Sequence, residues 1–190
     1  MDLVLASASP RRVELLRAAG FQPAVVPADL DETGLPGETP AAHVVRLARA
    51  KADAIAARYP AAAVLGADTV VAIDDEILGK PRDDDDARRM LGRLAGRAHR
   101  VYTGVALAVG ADIRAEVAMS EVTLAPLSPE EIEWYIASGE SRDKAGAYAI
   151  QGLASRYVSS IRGSYSNVVG LPVALVYRWL RDLPVIHSQH

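Results

Sequence analysis

The chain has 190 residues and a formal net charge of −3, with 50% apolar and 24% charged residues. That suits one domain, or one core with a modest lobe, burying most of its apolar surface without covalent staples. It contains no cysteine, which excludes disulfides, thiolate catalysis and zinc–cysteine sites and suits a reducing compartment. The charge balance gives no global field for nucleic acid or an anionic membrane, so an anionic ligand needs a local cluster of positive groups. The start "MDLVLASASP" lacks the basic opening and long apolar run of a signal peptide. No run of about 18 apolar residues is present. The expected location is the cytoplasm.

In chain order, "DLVLA" reads as a buried strand, and Pro10 to Ala19 as a helix stopped by Gly20. "FQPAVVPA" is a Pro-bounded extended run, and "DLDETGLPGETP" a loop rich in Gly, Pro and acids. A helical pattern covers Ala41 to Tyr59. "AAAVLGADTVVAID" is a strand; "DDE" and "ILGKP" form a turn and a short return strand. "DDDDARRMLGRLAG" is a helix, and "HRVYTGVALAVG" with "IRAEVAMSEVTLAP" a long antiparallel hairpin around "GAD". "SPEEIEWYIASGE" is a helix marked at both ends, "DKAGAYAIQG" a Gly-punctuated loop and "RYVSSIRG" a strand. A final helix is expected from Asn167 to Arg181, then a frayed tail over 184–190. The sum is a mixed α/β fold with an antiparallel component and no internal repeat.

Ser-Pro opens a helix twice. At Ser128, Pro129 suits the first turn and Glu131 completes a capping box, so acids oppose the positive end of the helix dipole. At Ser9 the next residues are Arg11 and Arg12, which add to the dipole at a cost of about 0.3–1 kcal/mol each. Free N–H groups, serine hydroxyls and guanidinium forks together describe a phosphate site, and the short strand before them delivers the loop to a strand end. The plainer alternative is two solvated arginines.

Further charges stand in apolar company. Asp68 interrupts the strand "AVLGADTVVAI"; it should meet a cation, a metal, backbone N–H groups or an open strand end. Lys51 falls on the apolar stripe of Val44, Leu47, Ala48 and Ile55, where it either snorkels outward or reaches an anion. Lys80 sits on a turn before Pro81. The acids at Asp83 to Asp86 read as dipole matching rather than a metal site, because adjacent helical residues point apart. The four histidines show no metal spacing, with His187 and His190 in the tail. No P-loop, Ser-His-Asp pattern or dinucleotide fingerprint occurs.

Taken together, the sequence resembles the Maf family of nucleoside triphosphate pyrophosphatases over nearly its whole length. The resemblance rests on "LASASPRRVELL", Asp31–Glu32, "RLARAKA" around Lys51, "GADTVV" around Asp68, "GKP" at Lys80, "DKAGAYAIQG" and "GSYSNVVGLP". It implies a two-lobed, inosine-triphosphatase-like fold over 1–190, with a mixed, partly antiparallel sheet and a central nucleotide cleft. "SPRR", "ADT" and "AIQG" resemble the branch that hydrolyses dTTP and UTP. "AYAIQG" carries Ala149 where many members have Gly, which matters if that residue needs a positive φ.

By that resemblance, Asp68 is the proton acceptor, and Arg12, Thr69 and Gln151 set base preference. Ser7, Ser9 and Arg11 hold phosphate oxygens, and Lys51 and Lys80 neutralise the leaving pyrophosphate. A divalent cation, Mg²⁺ or Mn²⁺, is expected on Glu32 and Asp68; for Asp68, general base and metal ligand both remain open. Strict alternation sends Asp68 and Thr69 to opposite faces, so the strand is expected to end or bulge there. A homodimer is suggested, though no apolar stripe forces one. The rival readings are a pyrophosphatase for a modified nucleotide such as 7-methyl-GTP, and a nucleotide-binding regulator of cell division without turnover. Nucleic acid and membrane are not expected partners.

Overall fold

A computed structural model of the chain describes residues 1–184. The expectation for the 184–190 tail, with His187 and His190, therefore lies outside the described residues except at Pro184. Strands are β1 (Leu3–Ala6), β2 (Ala24–Val25), β3 (Ala63–Ile73), β4 (Glu76–Leu78), β5 (Ala98–Val109), β6 (Asp112–Leu124) and β7 (Val158–Arg162). Helices are α1 (Pro10–Ala18), α2 (Pro40–Ala56), α3 (Asp84–Leu94), α4 (Pro129–Ala137), α5 (Tyr165–Val169) and α6 (Val173–Leu180). Hydrogen bonding orders the strands β2-β1-β3-β5-β6-β7, with β4 on β3, as a mixed seven-stranded sheet. β1 runs parallel to β2 and β3, whereas β3–β4 and β6–β7 are antiparallel. This is the mixed α/β fold the sequence implies. No described helix is long and apolar enough to cross a membrane.

The chain divides into two compact units. The first comprises Met1–Asp68, Thr103–Ala118 and the described chain from Gly170; the second comprises Thr69–Tyr102 and Met119–Val169. In the first unit the strands are apolar on both faces. Leu3, Leu5, Leu65, Ala67, Val105 and Leu107 bury against Leu16 of α1 and Leu175, Val176 and Trp179 of α6. Val4, Ala6, Val64, Ala106 and Ala108 bury against Ala48, Ala52 and Ile55 of α2. Period-two alternation serves two helical layers at once, which is why these strands read as continuous apolar runs.

Two glycines set how near α2 lies. A Cβ on Gly66 would strike the Ala48 carbonyl oxygen and the Ala52 nitrogen; one on Gly104 would strike the backbone of Val44 and Val45. The helix backbone therefore rests on the strands where they carry no side chain. Thr39 caps α2 by accepting from the Ala42 N–H at 3.2 Å.

In the second unit, Asp83 caps α3 by accepting from the Asp86 N–H at 2.7 Å. Asp86 is bridged by Arg82 and Arg89, which hold its carboxyl down at about 2. The acidic run is thus a helix start. The capping box of α4 is present in both directions.

Two expectations are corrected. The single helix over 167–181 is two helices, α5 and α6, broken at Gly170–Pro172. Gly170 takes φ 131, and Pro172 has no N–H and biases Leu171 away from helix. Nor does β3 end near Asp68, the first of the two alternatives expected there: it continues to Ile73. What stops is β1, whose last pair with β3 is Ala6–Gly66.

Replacing Gly66 by Ala is expected to lower unfolding free energy by about 1–3 kcal/mol, because α2 must lift from the strands. Urea unfolding measures it; wild-type stability in Gly66→Ala would refute the close approach.

Candidate active site

In the first unit, β1 delivers Ser7 to the start of α1. Ser9 stands at the N-cap position with φ −71 and ψ 115, yet its side chain makes no capping bond and the first turn holds no acid. The buried Ser7 hydroxyl oxygen accepts from the Ser9 N–H at 3.2 Å and from Arg12 Nη1 at 2.9 Å. With both lone pairs engaged, its remaining capacity is one O–H donor, the polarity an oxyanion requires. Arg11 is half-buried and has no hydrogen-bond or ion-pair partner among the described residues. Burial pulls its guanidinium below the ordinary value, with Glu14 acting more weakly in the opposite sense.

Arg12 is buried and braced. Its Nε donates to the Gly170 carbonyl at 2.8 Å and its Nη1 to the Ala67 carbonyl at 2.9 Å. One side chain thus joins the β1–α1 loop, the β3 strand and the break before α6. Burial lowers its pKa, and the nearby Asp68 is the main opposing influence.

Beyond Ala67 comes Asp68, buried and on the α2 face of β3 by alternation with Val64 and Gly66. Lys51 of α2, also buried, donates from Nζ to Asp68 Oδ1 at 2.7 Å and pairs with Glu32 Oε1 at 2.5 Å. The second oxygen of Asp68 has no partner among the described residues. Of the two alternatives for Lys51, reaching an anion is the one realised. Glu32 comes from the 29–39 loop with its side chain about half exposed. That loop is clasped by Glu38, which accepts from Arg46 Nε at 2.6 Å and Nη2 at 2.7 Å and contacts His43 Nδ1 at 3.0 Å. Arg46 foremost holds the Glu38 carboxyl down at about 2. Arg46 Nη2 also donates to the Thr33 carbonyl at 3.2 Å.

Among the described residues, no group of three or more His, Asp or Glu side chains could hold a metal alone. Two carboxylates meeting one ammonium do fit a hard cation of the magnesium type, which takes one or two protein carboxylates and completes its shell with phosphate and water oxygens.

In the second unit, Thr69 is partly buried on β3, whereas Lys80 and Gln151 are exposed. Neither Lys80 nor Gln151 has a side-chain partner among the described residues. The Gly146 N–H donates to the Gly79 carbonyl at 3.0 Å, tying the 143–152 loop to the residue before Lys80. Gly146 takes φ 69 against the Val71 side chain. The positive φ among the loop alanines is at Ala147 (φ 61), not Ala149, so the Gly-to-Ala departure at 149 brings no left-handed strain. His99 and Tyr148 lie beneath: His99 Nε2 meets the Tyr148 hydroxyl at 2.8 Å, and burial pushes the imidazole down to about 4.

Sequence reasoning singles out Asp68, Lys51 and Glu32, which the structure brings together, and misses what steadies them. Arg46 and Glu38 carry a faint signal, a charged pair spanning a loop–helix junction. Tyr135 and Glu140, which support the Gln151 segment, carry none beyond a tyrosine on the buried face of α4.

A family model described as "Maf-like protein" matches residues 2–183. A relative from Myxococcus xanthus, named a dTTP/UTP pyrophosphatase, is 54% identical over 186 residues, covering 96% of this chain and 94% of its own. One from Symbiobacterium thermophilum with the same name is 53% identical over 172 residues, covering 90% and 89%. A third of that name, from Koribacter versatilis, is 51% identical over 187 residues, covering 98% and 96%.

Two outcomes are expected. Arg12→Lys should destabilise by about 2–4 kcal/mol in chemical denaturation, because one ammonium cannot serve three separated acceptors; a smaller loss than Ser7→Ala would contradict the brace. For His99, the folded imidazole binds fewer protons than the unfolded one between about pH 4 and pH 6.5. Its contribution is therefore complete above pH 6.5 and is lost as pH falls toward 4, on the order of 3 kcal/mol in all. A His99→Gln variant should show a flatter stability–pH curve across that window; an unchanged slope refutes the assignment.

Proposed function

The chain belongs to the Maf family, and we propose that it hydrolyses dTTP and UTP between the α- and β-phosphates, giving the nucleoside monophosphate and pyrophosphate. The observation that carries this reading is the buried Lys51 ammonium shared by Asp68 and Glu32. A carboxylate held by a buried ammonium with its second oxygen left over is suited to accept a proton from water, which hydrolysis needs and mere binding does not.

Each group of the first unit has a part that follows from its bonds. The Ser7 O–H, the unengaged Ser9 hydroxyl, the unpaired Arg11 guanidinium and the open N-terminus of α1 bind phosphate oxygens. Arg12 acts through Ser7, whose hydroxyl it polarises and aims. Lys51 holds Asp68 by Oδ1, leaving the other oxygen to accept a proton from water. As that proton leaves, the water oxygen bonds to the α-phosphorus. The α–β bridging P–O bond breaks, and its electron pair departs with pyrophosphate. The cationic side chains stabilise the charge that gathers on the leaving group. Magnesium or manganese, held by Glu32 and, where Asp68 is a ligand rather than the base, by Asp68, would supply charge neutralisation and Lewis-acid polarisation of the phosphoryl oxygens.

The resemblance assigns Lys80 to charge neutralisation and Thr69 to base preference. Gln151 reads the base: its amide offers a donor beside an acceptor, and uracil and thymine offer N3–H between two carbonyls. The modified-nucleotide and turnover-free readings have no observation of their own in their favour.

Pyrophosphate release from dTTP, UTP, CTP and 7-methyl-GTP, with Mg²⁺ and with Mn²⁺, tests the proposal. The first two should be turned over best, and Asp68→Asn should cut kcat by about 10²–10⁴ with its fold retained. Preference for 7-methyl-GTP, or no release from any nucleotide, would overturn the reading.

A further inference from the structure

The short arc that carries Gln151 is held at both feet by one polar pair. On the near side, the Ala149 N–H donates to the Tyr135 hydroxyl oxygen at 3.1 Å. The Tyr135 hydroxyl in turn donates to Glu140 Oε1 at 2.9 Å. On the far side, the Leu153 N–H donates to Glu140 Oε2 at 2.9 Å and the Ala154 N–H to Glu140 Oε1 at 3.3 Å. Between the feet stand Ile150, which is buried, Gln151, which is exposed, and Gly152. A side chain on Gly152 would collide with the Glu140 carboxylate, so the arc lies directly on the group that grips it.

The polarity of this relay is fixed. A backbone N–H can only donate, so the Tyr135 oxygen must accept from Ala149 and its hydrogen must go to Glu140. Glu140 accepts three hydrogen bonds, a task for which a carboxylate is suited and an amide is not. Tyr135 is fully buried on α4 and packs edge-on to Tyr157 at 6.3 Å. Both anchors of the arc thus come from a rigid helix and the turn that ends it.

We propose that Tyr135 and Glu140 are positioning residues for Gln151: they fix the backbone arc from which its amide reaches the base, and so set discrimination between uracil and cytosine nucleotides without taking part in bond cleavage. This rests on the reading of Gln151 as the base reader.

The test is a double-mutant cycle on kcat/KM for UTP and CTP, using wild type, Tyr135→Phe, Gln151→Ala and the pair. Removing the hydroxyl while keeping the ring should lower the UTP-to-CTP ratio about tenfold. The loss should arise in KM for UTP, with kcat within about twofold. In the Gln151→Ala background the same change should alter the ratio less than about twofold. Glu140→Gln cuts the relay at its other end and should behave like Tyr135→Phe. An equal loss on both nucleotides, or an undiminished effect without Gln151, would mean general support of the fold and would overturn the inference. If Gln151→Ala alone leaves the ratio unchanged, the base-reading assignment itself falls and the inference with it, an outcome visible before either positioning variant is made. Amide exchange in the unmodified protein gives a check that needs no variant: Ala149 and Leu153 should exchange markedly slower than Gln151, and equal rates would overturn the clamp.

Discussion

A lysine ammonium taken out of water next to two carboxylates is the constraint on which the first unit is built. Lys51 and Asp68 are both buried, and either one alone in an apolar core would be strongly destabilising. They are tolerable because they meet at hydrogen-bond distance, with Glu32 as a second partner for the ammonium, and α2 lies close enough on β3 for them to do so. The sequence allows that approach with Gly66, two residues before Asp68 on the same strand face, and with Gly104 on β5. Core packing and site geometry are thus one requirement: the small residues that let the helix settle on the sheet are those that let its lysine reach the strand's aspartate.

Arg12 answers a second question raised by the same unit. A guanidinium at the positive end of a helix is unfavourable on its own, yet this one is fully enclosed. Its donors meet the carbonyls of Ala67 and Gly170 and the hydroxyl of Ser7, three chain segments remote in sequence. The break between α5 and α6 supplies one of those carbonyls: an uninterrupted helix would commit the oxygen of residue 170 to its own backbone. The two adjacent arginines therefore differ in kind, one serving as an internal brace and the other, Arg11, making no hydrogen bond or ion pair among the described residues.

How much could be read in advance follows from this physics. Asp68 and Lys51 stood out because a charge in an apolar stripe has few affordable explanations, and each turned out to be the other's. The strand and helix order was legible because β1, β3 and β5 are apolar on both faces and the caps at Thr39, Asp83 and Ser128 are local chemistry. The break at Gly170–Pro172 was in plain sight as "GLP", but apolar spacing carried across it and suggested one helix. The continuation of β3 past Asp68 was hidden because a strand's end depends on its partner, and here the neighbour β1 stops instead. Glu140 was invisible: its role is to accept from backbone N–H groups, and every residue type but proline presents the same N–H.

The two units secure their functional side chains by different means, and the difference bears on what each can vary. Lys51 and Asp68 are fixed by direct contact inside a core, where a change of one atom is felt by packing and charge together. The Gln151 side chain makes no hydrogen bond or ion pair among the described residues; its position is inherited from a backbone arc that follows the left-handed Ala147 and the glycine pressed on Val71. A left-handed alanine costs roughly 1 kcal/mol or more, so the loop must be over-determined by its surroundings, here the Gly79 carbonyl, Tyr135 and Glu140. In such an arrangement the residue at the tip can be exchanged with little effect on folding, because no hydrogen bond or ion pair among the described residues depends on its side chain. A charged pair held in a core is conservative by construction; a side chain mounted on a clamped arc can change while its support stays fixed.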